Sequence, residues 1–117
     1  MTIGFTGTRK GMTEAQRAQF ESIMDWLNVT GFHHGDAIGA DAQASAYVAA
    51  VHWSVRIVPH PANGQPLARN RAIVAASDIL IAAPESDTEQ QRSGTWATVR
   101  YARQKGIPIV MLSRGTK

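Results

Sequence analysis

Short apolar runs alternate along the chain with longer segments whose apolar residues recur at helical spacing. The short runs are rich in β-branched and aromatic residues, which favours strands. The first longer segment opens with a capping-box pattern at Thr13 and Gln16, and Gly31 is expected to stop the helix that follows. The pattern predicts strands over 3–5, 32–34, 55–58, 79–82 and 109–112, and helices over 13–30, 39–53, 67–77 and 94–104.

Strands that alternate with helices indicate βαβ units and a parallel sheet. The apolar runs 79–82 and 109–112 are unbroken, which predicts strands buried on both faces of that sheet. The crossovers are expected to be right-handed. The sequence therefore predicts an α/β protein, a single Rossmann-like domain over residues 1–117, with a five-stranded parallel sheet and helices on both faces.

Composition narrows the possible functions. A hydrophobic fraction of 44% and a charged fraction of 18% in 117 residues argue against disorder. The absence of cysteine excludes a disulfide scaffold, a thiolate metal site and a cysteine nucleophile. The four histidines lack ligand spacing, so we predict no metal site. No apolar run approaches the length of a membrane span and no signal-peptide pattern opens the chain, so we expect a cytoplasmic protein without a membrane partner.

The loops after the predicted strands carry the candidate chemistry, because ligands of open α/β sheets bind at the carboxyl ends of the strands. After the first strand, Gly7 permits a tight turn and Arg9 adds a positive charge. After the second strand, the glycines of segment 35–41 open an alanine-rich helix, a pattern that favours phosphate. Asp41 near that helix start either complements the helix dipole or binds ribose hydroxyls or a base amine.

Two later segments extend this prediction. Arg69 and Asn70 near the third helix start point roughly 100° apart, so one is suited to a phosphate and the other to a base or a neighbouring loop. Ser93 is a helix cap, and the amides after it form a second phosphate site. The polar stretch 84–93 is either a lid over the ligand, with Arg92 as a clamp, or a surface loop. The candidate ligand-binding residues are Gly7, Thr8, Arg9, Gly35, Asp36, Gly39, Asp41, Arg69, Asn70, Arg92, Ser93, Gly94 and Thr95.

Neither glycine-containing loop carries a dinucleotide fingerprint or a Walker A pattern. An ordinary NAD dehydrogenase and a P-loop NTPase are therefore disfavoured. We predict no cofactor, and the residues alone assign no catalytic group.

Taken together, the four loops resemble the SLOG superfamily, which includes the Lonely Guy phosphoribohydrolases and the Rossmann-like core of DNA-processing protein A. The resemblance covers nearly the whole chain and rests on segments 6–9, 35–41, 69–70 and 93–95. The short chain is most similar to the small stand-alone members described as DprA-like or YspA-like. The resemblance implies a nucleotide or nucleotide-derived ligand.

The resemblance also implies where that ligand lies. Its phosphate would contact Gly94 and Thr95 with Arg69 nearby, and its base and ribose would lie near segment 7–8 and Asp41. Lonely Guy enzymes carry a P-G-G-x-G-T-x-x-E signature whose glutamate assists glycosidic cleavage. Here Thr98 occupies the glutamate position and the preceding Pro-Gly-Gly is absent. A threonine cannot act as a carboxylate base, so this departure argues against hydrolysis of the Lonely Guy type.

Three functions follow from this reasoning. The first is a sensor or sequestering module for a nucleotide-like ligand, as in the bacterial and phage conflict systems that use SLOG proteins. The second is a nucleotide N-glycosidase, which requires Asp41, Glu85 or Glu89 to reach the ribose. The third is a DprA-like binder of single-stranded DNA, which the net charge of +3 and the aromatic fraction of 7% favour least. Trp26, Trp53 and Tyr101 are candidates for a homodimer or higher homo-oligomer interface.

Overall fold

The computed structural model describes residues 1–115 and contains five strands and four helices within them. Strands and helices alternate throughout, as the apolar pattern predicts. The elements are β1 (Thr2–Gly7), α1 (Glu14–Trp26), β2 (Gly31–His34), α2 (Ala40–Val51), β3 (Arg56–Pro59), α3 (Pro66–Ala76), β4 (Ile79–Ala83), α4 (Gly94–Lys105) and β5 (Ile109–Met111).

Local sequence explains where the helices begin and end. The capping box of α1 is complete: Thr13 Oγ1 accepts from the amide of Gln16, and the Gln16 side chain accepts from the amide of Thr13. Helix α1 ends at Trp26 because Leu27 adopts an extended conformation, so Gly31 does not stop it but opens β2. Helix α4 ends at Lys105 and is capped by Gly106, whose φ of 75° is left-handed.

The sheet has the strand order β3-β2-β1-β4-β5, and all neighbouring strands are parallel. This confirms the predicted α/β class and the five-stranded parallel sheet. Helices α1 and α2 pack on one face, over the core formed by Phe5, Phe20 and Phe32, and α3 and α4 pack on the other, where Val74 and Val99 meet Leu80. The strand order reverses between β1 and β4, and this switch point is where an open α/β sheet forms its ligand crevice.

The two unbroken apolar runs differ in burial. Strand β4 lies between β1 and β5, and four of its five residues are buried. All three residues of β5 are only partly buried, because β5 is an edge strand with a single neighbour. The prediction that both strands are buried on both faces is therefore wrong for β5.

The three tryptophans occupy different environments. Trp96 is buried against Leu80 and Val99. Trp26 and Trp53 are 86% and 85% exposed, near the ends of α1 and α2, where Asp25 joins the two helices. No helix among residues 1–115 has the length and apolar character needed to cross a membrane.

Candidate functional site

A cleft of about 510 Å³ opens at the switch point, above the carboxyl ends of β1 and β4. Its floor includes Phe5 and Ile73, which are buried in the body of the fold. Its walls come from the loops after β1, β2 and β4 and from the first residues of α3 and α4. A volume of this size matches the range of small-molecule sites.

The loop after β1 is held in place by hydrogen bonds on both sides. The amide of Thr8 donates to the carbonyl of Ala83 at 2.9 Å, which extends the pairing of β1 with β4. The amide of Ala40 donates to the carbonyl of Thr8, also at 2.9 Å, which fixes the start of α2 against the same loop. Gly39 makes this approach possible, since a Cβ at this position would overlap the carbonyl of Arg9.

An acidic and a basic side chain flank Gly35 in the cleft wall. Asp41 Oδ2 accepts from the amide of Gly35 at 2.7 Å, and Arg69 donates from Nη1 to the Gly35 carbonyl. A Cβ at residue 35 would lie 2.7 Å from Arg69 Nη1 and 3.0 Å from Asp41 Oδ2, so a side chain there would require the Arg69 guanidinium to shift. Arg69 Nε donates to Asn70 Oδ1 at 2.7 Å, which orients the amide.

Asp41 is 3% exposed although it lines the cleft. Burial raises the pKa of Asp41 to about 6, against the opposing effects of the Gly35 and Ala37 amides and of the Arg69 charge. A carboxyl with this pKa takes up and releases a proton near neutral pH, which is the range in which general acids and bases work.

The start of α4 forms the opposite wall. Ser93 caps the helix, with Oγ accepting from the amide of Trp96 at 3.2 Å. Gly94 and Thr95 are its first two residues, so their amides have no carbonyl partner within the helix. Both residues line the cleft together with Ser93. The positive end of the α4 dipole therefore faces the cavity, which favours an anion.

The charged residues at the rim come from two loops. Arg9, Lys10 and Arg92 line the cleft and are exposed. Lys10 forms an ion pair with Glu85 of the 84–93 loop, and the Lys10 ammonium holds the pKa of Glu85 below its usual value. Charge in the cleft is thus predominantly positive, with Asp41 as the buried exception.

The 84–93 loop is attached to the protein on its outer side. Glu89 accepts from Arg100 and Arg103 of α4, each at 3.0 Å. Arg100 also donates to the carbonyls of Gln90 and Gln91. Gln90 and Arg92 line the cleft, so the loop contributes to its wall in this conformation.

The cleft brings together most of the residues that the sequence singles out, from all four loops. Asp36 does not line it: this residue has a φ of 54° and is exposed, and its amide donates to His34 Nδ1. Gly39 does not line it either, because it packs against the loop after β1. The predicted residues that line the cleft are Gly7, Thr8, Arg9, Gly35, Asp41, Arg69, Asn70, Arg92, Ser93, Gly94 and Thr95.

Sequence reasoning missed several lining residues. Lys10 directly follows Arg9, and Gln90 belongs to the polar stretch that the sequence marks as a lid or a surface loop. The sequence indicates Glu85 only as a carboxylate for catalysis, not as a binding residue. Position in a loop after a strand was the available signal. The sequence does not show which side chains of such a loop turn inward, because this depends on the backbone path.

The structure separates the carboxylates considered for catalysis. Asp41 and Glu85 line the cleft, whereas Glu89 pairs with α4 outside it. Thr98, at the position of the Lonely Guy glutamate, is 1% exposed, does not line the cleft, and donates from Oγ1 to the Gly94 carbonyl at 2.9 Å. Asp41 is therefore the only one of these carboxyls, among the described residues, that is both buried and at the cleft.

The histidines lie away from the cleft. His33 and His60 contact each other, with Nδ1 and Nε2 2.7 Å apart, and burial lowers the pKa of both rings. His34 is buried and stacks on Phe32. Within residues 1–115, no group of three or more histidine or acidic side chains is arranged to hold a metal ion.

Comparison of the chain with protein-family models, with curated proteins and with solved structures found no match.

Proposed function

We propose that this protein binds a nucleotide or nucleotide-derived small molecule in the switch-point cleft, as a sensor or sequestering module. The observation that carries the proposal is that the N-terminus of α4, the guanidinium of Arg69 and the buried carboxyl of Asp41 all line one cavity of about 510 Å³. These groups offer separate sites for an anion and for hydrogen-bond donors, and a nucleotide presents both.

The phosphate fits between the start of α4 and Arg69, which extends from the opposite wall beside Gly35. The amides of Gly94 and Thr95 are free to donate, and the Nη2 of Arg69 forms no hydrogen bond with any described residue. Backbone amides at a helix start bind phosphate oxygens well, and an arginine adds charge-assisted hydrogen bonds.

The ribose or base fits the wall near Asp41. A buried, ionised carboxylate repels phosphate and accepts hydrogen bonds, so it suits ribose hydroxyls or an exocyclic amine. Asp41 and the start of α4 belong to different walls of the same cleft. This arrangement favours the ligand orientation in which its anionic end points toward α4.

The resemblance of the four loops to the SLOG superfamily supports the same assignment. Under this proposal the protein acts in the cytoplasm, in nucleotide signalling of the kind found in bacterial and phage conflict systems. The exposed Trp26 and Trp53 support a further proposal, that the protein is a homodimer or higher homo-oligomer. Native mass spectrometry of the purified protein would report the mass of the assembly and of any nucleotide retained in it.

Replacing Arg69 with alanine is expected to weaken nucleotide binding by about 1.5–3 kcal/mol, the range for a hydrogen bond to a charged group. Isothermal titration calorimetry with nucleoside monophosphates measures this. Arg69→Lys keeps the charge but not the planar fork, so it should recover only part of the affinity. Thermal unfolding of both variants checks that the protein stays folded when the hydrogen bond from Arg69 to the Gly35 carbonyl is lost or altered. Wild-type affinity in a folded Arg69→Ala variant would contradict the assignment.

A second candidate function is an N-glycosidase that releases a base from a ribose phosphate. The observation in its favour is Asp41, a cleft carboxyl whose pKa lies at about 6. Incubation with a panel of nucleoside monophosphates, followed by chromatography, separates the two functions. Free base that forms with the wild type but not with Asp41→Asn supports the enzyme, and intact nucleotide throughout supports binding alone.

A further inference from the structure

The helix layer formed by α3 and α4 is strongly basic. Helix α3 carries Arg69 and Arg71, helix α4 carries Arg100, Arg103 and Lys105, and neither helix contains an acidic residue. The opposite layer has the reverse balance, since α1 and α2 together carry four acidic residues and one arginine. Among the helices, the basic residues are therefore concentrated on α3 and α4, where Glu89 of the 84–93 loop pairs with Arg100 and Arg103.

A groove of about 210 Å³ lies between α3 and α4 on this basic face. Asn70 lines both the groove and the cleft, so this residue lies between the two spaces. Beyond Asn70 the groove is lined by Arg71, Arg100 and Tyr101. The guanidinium of Arg71 lies 5.3 Å from the centre of the Tyr101 ring, a cation–π contact that favours this position of the charge.

Arg100 has an ion-pair partner among the described residues, whereas Arg71 does not. Arg100 donates to Glu89 at 3.0 Å and to two carbonyls of the 84–93 loop. Arg71 forms no ion pair with any residue between 1 and 115. Its charge is thus uncompensated, exposed and held in the groove.

We propose that the cleft and the groove form one extended site for a nucleotide ligand with a second phosphate, as in a phosphodiester-linked dinucleotide. The inference rests on the proposed function: the first nucleotide occupies the cleft, and the chain passes Asn70 so that the second phosphate reaches Arg71. A free dinucleotide and the 5′ end of a single strand share this chemistry. Either ligand would place one phosphate in the cleft and a second phosphate at Arg71.

The test compares a mononucleotide with a dinucleotide of the same base. Calorimetry would use the four nucleoside 5′-monophosphates and the matching 5′-phosphorylated dinucleotides, at 0.15 M salt, where the Debye length is about 8 Å. We expect the preferred dinucleotide to bind about tenfold more tightly than its mononucleotide, as one added arginine–phosphate contact allows. A 5′-phosphorylated decamer that binds as tightly as the dinucleotide would identify strand ends as ligands, and a weaker decamer would identify the free dinucleotide.

Two charge-reversal variants, one in the groove and one on the opposite layer, serve as the test and its matched control. Arg71→Glu should remove the roughly tenfold advantage of the dinucleotide and change mononucleotide affinity by less than about twofold. Arg17→Glu makes the same change in net charge on α1, in the opposite layer, and should leave both affinities unchanged.

The outcomes separate this inference from the proposed function. Equal affinities of mono- and dinucleotide, or equal effects of Arg71→Glu and Arg17→Glu, would overturn the extended site while leaving nucleotide binding in the cleft intact. No binding by any of these probes would overturn both.

Discussion

Replacing Gly39 with alanine is expected to destabilise the protein by about 3 kcal/mol or more, a large part of the total stability of a domain this size. Gly39 has a φ of 82° and a ψ of −124°, a conformation that residues with a side chain rarely adopt. A Cβ would in addition overlap the backbone carbonyl of Arg9. Because that carbonyl is backbone rather than a flexible side chain, the α2 start and the loop after β1 would have to separate.

Gly64 provides the matched control. Its φ is 79°, close to that of Gly39, but a Cβ there would meet nothing within 4 Å. Gly64→Ala should therefore cost only the backbone strain, about 1 kcal/mol. Urea unfolding of the two variants measures the difference. Equal urea midpoints for the two variants would show that the loop after β1 can move away from α2 without loss of stability. The hydrogen bond from the Ala40 amide to Thr8 would then not be what fixes the shape of the cleft.

The alternation of elements was predictable from the sequence because short apolar runs alternate with longer segments rich in alanine and polar residues, although α2 and α3 have almost no amphipathic periodicity. The burial of β5 was not, because Ile109, Val110 and Met111 read as a buried strand until the strand order shows them at an edge. Strand order depends on contacts between distant segments, for which local periodicity contains no signal. The predicted end of α1 is wrong because a glycine after a helical segment is typical of a helix stop, whereas Gly31 here opens β2.

The candidate site, too, could be predicted from the sequence only in part. Its loops were predictable, because the carboxyl ends of parallel strands share one edge of the sheet. Individual side chains were not: Asp36 and Asp41 are both acidic residues of the loop and helix start after β2, yet only Asp41 lines the cleft. The positive φ of Asp36 turns the chain, and α2 then directs Asp41 to the amide of Gly35. Backbone geometry of this kind is invisible in the order of residue types.

Asp41→Asn is expected to remove the pH dependence that this buried carboxyl imposes on stability. The pKa of Asp41 is about 6 in the folded protein, against 3.8 for an ordinary aspartate. The folded state therefore holds the proton more tightly than the unfolded state does. Stability from this group is fully present below pH 4 and is lost as the pH rises through about 6, by up to about 3 kcal/mol.

The measurement is the free energy of unfolding of wild type and Asp41→Asn between pH 4 and pH 7.5. Taking the difference between the two proteins removes the contribution of the other titrating groups. An asparagine can keep the hydrogen bond from the Gly35 amide without bearing a charge, so the variant should gain on the wild type as the pH rises. A difference that stays constant over this range would mean that Asp41 ionises as an ordinary surface aspartate.

The same residue should have the opposite effect on binding. An ionised Asp41 that accepts from ribose hydroxyls or a base amine makes wild-type affinity for nucleotide rise with pH through about 6. Asp41→Asn should bind more weakly at pH 7 and lose this dependence, although it is the more stable protein. A variant that gains stability and loses affinity would show that the buried charge is maintained at a cost to folding because the ligand requires it. Unchanged affinity across the pH range would instead show that Asp41 only holds the Gly35 amide in place and does not contact the ligand.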